Sequence, residues 1–213
     1  LNNQSATKEK IFQAALSLFN SKGFSGTSMR EIAKAAGVNV STIFYYFDDK
    51  KGLLKECFVT FFEEYLNILE KGINQLENAD PSIILKDVIH QLLDYQYRNY
   101  QLSRFVCREV SIDSQIVRET MTTYFRKERF FLQTLIETGT EAGVFRKVPS
   151  GIVVIQLKGM LNQPFLNSIY SAEVWNIYFQ ERYYIDQYKK QLENWVDLYL
   201  CNTKAIPLEE VIS

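Results

Sequence analysis

One stretch restricts this chain more than any other. From Ser28 to Leu54 it reads as a helix, a tight turn and a short second helix. Ala33, Gly37 and Ile43 sit at the spacing that a helix-turn-helix needs. Ala33 is small where the second helix crosses. Gly37 gives the turn a backbone conformation that a Cβ would oppose. Ile43 plugs the second helix into the first. Such a second helix fits the major groove of DNA, so DNA binding is the first expectation.

The rest of the chain supports a helical frame. Thr7 is the expected N-cap of a first helix, with Ile11, Ala14, Ala15, Leu18 and Phe19 forming its apolar stripe. Gly23 ends it. Ser28 and Glu31 form a capping box at the second helix, Asn39 caps the third, and Asp49 caps a fourth running to near Gln75. Asn78–Pro81 is the first clear breaker. Helical patterns then cover 82–99, 103–111, 114–142, 150–163 and 182–201, with Asp113-Ser114 starting the long one and Pro164 closing the 150–163 helix. Residues 165–181 are harder to read; they hold a short helix, or the last helix begins as early as Ser171. The expected fold is all-α, with about nine or ten helices.

Charge supports the DNA reading modestly. Residues 1–54 carry seven Lys/Arg against four Asp/Glu, a net of +3, and the remainder carries seventeen against twenty-one, a net of −4. A basic head on an acidic body suits a protein that touches DNA at one end. The single histidine, His90, removes most histidine metal sites and a Ser-His-Asp triad. Cys57, Cys107 and Cys201 are too few and too far apart for a disulfide framework or a zinc site, and read as packing residues. No nucleophile, base or metal set is visible, so an enzyme is not expected, nor a cofactor. Neither a membrane-spanning run nor a basic-then-apolar leader appears, so the expected location is the cytoplasm, at the nucleoid.

The stretch Ala36-Gly-Val-Asn-Val-Ser-Thr-Ile-Phe-Tyr-Tyr-Phe47, with Lys50 and Leu53-Leu54 after it and Phe19 and Lys22-Gly23-Phe24 before it, resembles the signature of TetR-type transcriptional regulators. The resemblance implies a three-helix DNA-binding head over 1–49. It also implies a larger regulatory and dimerisation body over 50–213, with the fourth helix as connector. Two positions depart from the TetR pattern. Val40 stands where Lys or Arg is common, and Phe44 where Tyr is common.

The base-facing set is Asn39, Val40, Ser41 and Phe44 or Tyr45. Phe44 is as well suited to packing as to reading. Tyr46 and Lys50 are assigned to phosphates, and Thr27 and Ser28 to backbone contacts at the second helix's start. A single short recognition helix reads few bases, so a homodimer on double-stranded DNA is expected. Ile185, Tyr188, Leu192, Trp195, Val196 and Tyr199 offer a seam on the last helix, and Ile152, Ile155 and Gly159 another surface; half of the first stripe suits internal core equally well.

Two regulatory readings remain open. The stretch Tyr95–Met121, with Lys22–Ser28, is similar to forespore-capture DNA-binding proteins of the RefZ type in spore-forming Bacillus relatives. That likeness implies a TetR-like dimer acting on chromosome positioning and on ring assembly by the tubulin-like division protein FtsZ during sporulation. Arg104, Arg108, Arg118 and Glu119 are its candidate partner face. Arg118 opposes the dipole of the helix it opens, and either a partner or an internal carboxylate such as Glu109 would offset it. The alternative is a repressor switched by a small ligand, with Tyr95, Tyr124, Phe131 and Met160 as candidate lining or as plain core.

Overall fold

The computed structural model describes residues 2–112 and 114–202. Among the described residues ten α-helices run in order: α1 Asn2–Lys22, α2 Met29–Ala36, α3 Val40–Phe47, α4 Lys50–Ile73, α5 Pro81–Arg98, α6 Tyr100–Glu109, α7 Gln115–Glu141, α8 Ser150–Leu166, α9 Ser168–Trp175 and α10 Arg182–Trp195. A π-helical turn, Val196–Leu200, extends α10. Among the described residues the only β-type pairing is an isolated bridge between Phe145 and Cys201. The expected all-α class is the one observed. No helix among the described residues is long and apolar enough to cross a membrane.

Packing sorts the chain into two compact units. The first is formed by Leu1–Glu64 with Arg98–Tyr124, and the second by Tyr65–Tyr97 with Phe125–Ser213. The residue 49/50 boundary of the sequence reading falls inside the first unit. Two ties hold α4's opening turns there. Lys50 Nζ donates to the carbonyls of Phe24 and Thr27, and Lys8 Nζ to Glu56 Oε1.

In the first unit, α1 starts earlier than Thr7 and buries Ile11, Phe12, Ala15, Leu16 and Phe19. Its apolar face is thus rotated slightly from the expected stripe. Phe19 stacks on Phe105 of α6, with ring centroids 5.2 Å apart. Ile32, Ala33, Ile43 and Phe47 bury the inner faces of α2 and α3. Gly37 adopts φ 63°, the left-handed conformation that its place in the turn requires. Cys57 and Cys107 are buried packing residues, and burial pushes the Cys57 thiol well above its ordinary pKa.

The second unit is held by α5 and α10 as well as by its apolar core. Lys86 pairs with Asp197 at 2.5 Å, His90 Nε2 lies 3.1 Å from Glu193 Oε1, and Asp94 accepts from Lys189. The positions advance by four on α5 while they retreat by four along α10 and its extension. The two elements therefore run antiparallel, with two lysine–carboxylate ion pairs and the His90–Glu193 contact along their seam. Chain closure adds another tie: the amide of Arg146 donates to Leu200 O at 2.7 Å, and that of Asn202 to Val144 O at 2.9 Å.

Pro164 does not close α8 but sits inside its last turn. Proline has no N–H to offer the carbonyl four residues back, which is that of Met160. Tyr188 fills that vacancy from α10, its hydroxyl donating to Met160 O at 2.8 Å. Burial raises the Tyr188 phenol to about 12. The helix continues because a tertiary contact replaces the missing local one. Residues 168–175 form their own short helix, α9, and Asn176 ends it at φ 53°. The start of α7 expected at Asp113, and the chain from 203 onward, lie outside the described residues.

Candidate nucleic-acid interface

The head is built from local signals. Ser28 caps α2: the amide of Glu31 donates to Ser28 Oγ at 3.3 Å, and the Ser28 amide donates to Glu31 Oε2 at 2.8 Å. Lys22 Nζ adds a 2.6 Å bond to the same carboxylate. Lys22 first, then the hydroxyl and amide of Ser28, hold the Glu31 carboxyl at about 2. The ring of donors favours the charged form, and a carboxylate near a helix N-terminus also suits the helix dipole.

Asn39 occupies the N-cap position of α3 in extended conformation, yet its side chain makes no capping bond. The sequence reading makes it a cap, but the structure leaves its exposed carboxamide without a partner among the described residues. A free carboxamide presents one donor group and one acceptor, the pair that matches adenine in the major groove. Ser41 is exposed and Val40 half-buried. Phe44 is 48% exposed, so packing does not claim it. Tyr45 is 73% exposed and meets Tyr46 edge to face at 5.0 Å. Tyr46 is half-buried between Tyr45 and Phe47. The outward face of α3 therefore carries Asn39, Ser41, Phe44 and Tyr45, while Ile43 and Phe47 anchor it from below.

Two residues of the expected set do something else. Thr27 is 2% exposed, and its hydroxyl donates to Gly23 O at 2.8 Å. It organises the α1–α2 loop, and its side chain is too buried to meet a phosphate. Lys50 is given a phosphate by the sequence reading and two carbonyls by the structure. Its ammonium donates to Phe24 O at 3.0 Å and Thr27 O at 2.9 Å, and lies 4.6 Å from the centre of the Phe24 ring. Carbonyl dipoles and an aromatic face together hold the cation in place. Lys50 thus ties the start of α4 to the loop before α2 and fixes α3 between them.

Other cations take the exposed positions. Arg30 and Lys34 on α2 and Lys51 on α4 are exposed and have no ion-pair partner among the described residues. The helix-turn-helix pattern does not single out these three residues. Arg30 lies two residues past the cap Ser28, and Lys51 directly follows Lys50, so proximity to the motif is the available signal.

The candidate partner face divides in a similar way. Arg108 Nη2 donates to Phe19 O at 2.9 Å, and its Nε lies 3.8 Å from Glu109, so its guanidinium braces α6 against α1. Arg104 is half-buried one turn before it. Arg118 and Glu119 are exposed at the start of α7, where Glu119 accepts from Gln115 at 2.7 Å. Burial raises the Glu109 carboxyl, with Arg108 opposing that shift. The four candidate ligand-lining residues take different places within their own units. Tyr95 and Phe131 are buried core, Tyr124 lines a groove of the first unit, and Met160 lines a shallow groove of the second.

The second unit carries an exposed surface of another kind. Ile152 and Ile155 on α8, Ile169, Tyr170, Val174 and Trp175 on α9, and Leu198 and Tyr199 beyond α10 are exposed. Gly159 opens onto free space on the same helix as Ile155. Half of the expected α10 seam is internal instead: Ile185, Leu192 and Val196 are buried, whereas Trp195 and Tyr199 stack with ring centroids 5.4 Å apart.

Comparison with known proteins agrees with the head's geometry. Residues 11–57 match the profile described as "Bacterial regulatory proteins, tetR family". The chain is 40% identical over 191 residues to a Bacillus subtilis (strain 168) protein named "Probable HTH-type transcriptional regulator YttP", covering 90% of this chain and 92% of that one. Its fold is similar to that of the TetR family regulator PfmR from Thermus thermophilus, with a TM-score of 0.72 at 22% identity, over 87% of this chain and 96% of that one. It is also similar to the fatty acid degradation regulator FadR from Bacillus halodurans, with a TM-score of 0.69 at 21% identity, over 89% and 94% of the respective chains. These likenesses reach the family and its fold.

Proposed function

The chain belongs to the tetR family of bacterial regulatory proteins, and on that premise we propose that it reads a preferred DNA duplex as a two-fold dimer through the outward face of α3. The observation that carries this reading is the exposure of Asn39, Ser41, Phe44 and Tyr45 on a helix whose opposite face is locked by Ile43 and Phe47. Asn39 supplies adenine-type hydrogen bonding, and the two aromatic edges supply contact with thymine methyls. Ser28, Tyr46 and the free cations Arg30, Lys34 and Lys51 supply backbone contacts. The apolar surface of α8, α9 and the α10 extension supports pairing with a second copy, because an exposed apolar patch of this extent needs a cover. Footprinting tests the reading. A protected duplex is expected, and Tyr45→Ala should reduce discrimination against single-base changes by about 1–3 kcal/mol per contacted base. A parent protein that protects no preferred duplex overturns it.

A further reading adds an action on FtsZ ring assembly during sporulation. It is supported by the RefZ-like stretch Tyr95–Met121 and by the exposed corner at Ser111, Ile112, Arg118 and Glu119. Arg108 contributes to that corner only through its brace on α1. On this reading Arg118→Glu leaves DNA affinity unchanged and abolishes the effect on FtsZ co-sedimentation. Loss of melting temperature together with every activity assigns Arg118 to the scaffold. The small-ligand repressor remains the alternative means of control.

A further inference from the structure

A groove in the first unit shares only Lys51 with the DNA reading. It lies between the opening turns of α4 and the first half of α7 and has a volume of about 510 Å3. That is within the usual range for a small-molecule site, about 300–1,000 Å3.

Its α4 wall carries Lys51 and Lys55. Four residues apart, they stand side by side on one helix face, and like charges in that arrangement oppose each other. Neither has a carboxylate partner among the described residues. The α7 wall carries Thr120 and Thr123. Elsewhere on α7, Thr122 and Thr140 return their hydroxyls to the carbonyls of Arg118 and Ile136. Thr120 and Thr123 make no such bond, and neither does the hydroxyl of Tyr124 beside them. Glu119 also lines the groove and accepts from Gln115 one turn back, so the lining carries two ammonium groups against one carboxylate and stays net cationic. Val59 and Ile116 supply apolar surface.

Two unpaired ammonium groups therefore face three unengaged hydroxyls across a partly apolar groove. We propose that this groove binds a small organic anion. Its phosphate or carboxylate lies between Lys51 and Lys55 and accepts from Thr120 and Thr123, while its apolar part rests on Val59 and Ile116. As a regulatory site this rests on the reading of the chain as a ligand-switched regulator. Because α4 begins at Lys50 and α3 ends at Phe47, an anion joining α4 to α7 constrains the base of the recognition helix.

The same chemistry would accept a free anion or a phosphate of the DNA backbone, and the test separates them. Phenyl phosphate is titrated calorimetrically into the intact full chain without DNA. One site per protomer is expected. Lys55→Gln should weaken binding about tenfold or more, because it removes a charged hydrogen-bond donor. Thr123→Val should weaken it less, and both variants should keep the parent melting temperature. In a second arm, phenyl phosphate should shift the parent's DNA affinity and leave that of Lys55→Gln unmoved.

No saturable binding up to about 20 mM, weaker than any useful affinity, overturns the site. Equal binding by parent and Lys55→Gln overturns it too. If Lys55→Gln loses only DNA affinity and keeps phenyl phosphate, Lys55 belongs to the DNA backbone contact instead. Should the parent bind no DNA at all, the regulator reading falls while the calorimetric arm still decides the site.

Discussion

Two exposed surfaces of this molecule both display aromatic side chains, and they differ in what surrounds them. On α3, Phe44 and Tyr45 are accompanied by a free carboxamide and a serine hydroxyl, with uncompensated cations on the adjoining helices. On α8 and α9, Ile155, Ile169, Val174 and Trp175 form an apolar face, with Ile155 at 69% and Trp175 at 62% exposure. The first surface can satisfy a polar, negatively charged partner. The second gains only by meeting another apolar surface. Exposure alone does not name a partner; the polar groups beside the exposed ring do.

Placing charge on the apolar face should have the largest effect. Ile155→Glu should raise the dimer dissociation constant at least about a hundredfold, because an unpaired carboxylate buried in an apolar interface costs several kcal/mol. DNA affinity should fall with it, since a lone head reads one half-site. Sedimentation that finds the variant dimer as tight as the parent removes this face from the interface.

A smaller effect sharpens the account of the α3 side. Lys50→Met removes the donor shared by the part-buried Phe24 and Thr27 carbonyls, of which Phe24 O keeps the Thr27 amide at 3.3 Å, a loss of about 1–3 kcal/mol. At about 2–4 °C per kcal/mol for a chain of this size, the melting temperature should drop by several degrees. The salt slope of DNA binding should change by less than the ~0.9 expected for one lost phosphate contact. An unchanged melting temperature with a slope reduced by that amount makes Lys50 a phosphate contact after all.

The smallest expected effect concerns pH. The Glu31 carboxyl is held at about 2, below its ordinary value, by Lys22 and Ser28. A depressed carboxylate contributes stability above the ordinary carboxylate pKa and loses it as pH falls toward the lowered value. Thermal melts should therefore show the parent losing stability between about pH 4.5 and 2 more steeply than Glu31→Gln. Because Glu31 is exposed, salt should blunt the difference. Parallel acid limbs for the two proteins would remove the capping box as a charge-dependent tie.

Much of the head was legible in the sequence because its signals are local. The Ser28–Glu31 box, the left-handed Gly37, the Asp49 cap and the inward Ile43 depend on residues within a turn of one another. The apolar α9 had no such signature, and its helix was one of two options. Periodicity marked the α10 stripe but could not divide it, since a 3.6-residue repeat shows which residues share a face and not what covers them.

By itself, the sequence determined that this chain is helical, that it carries a helix-turn-helix, and that it resembles the TetR family. Tertiary structure alone decided what the polar groups do. It took Lys50 to carbonyls 23 and 26 residues away, buried Thr27, left Asn39 unbonded, and supplied Tyr188 to the carbonyl that Pro164 cannot serve. The reason is the range of the forces. Caps and turns are satisfied by near neighbours in the chain, whereas a long cation or a hydroxyl goes to whichever acceptor the folded chain brings within about 3 Å.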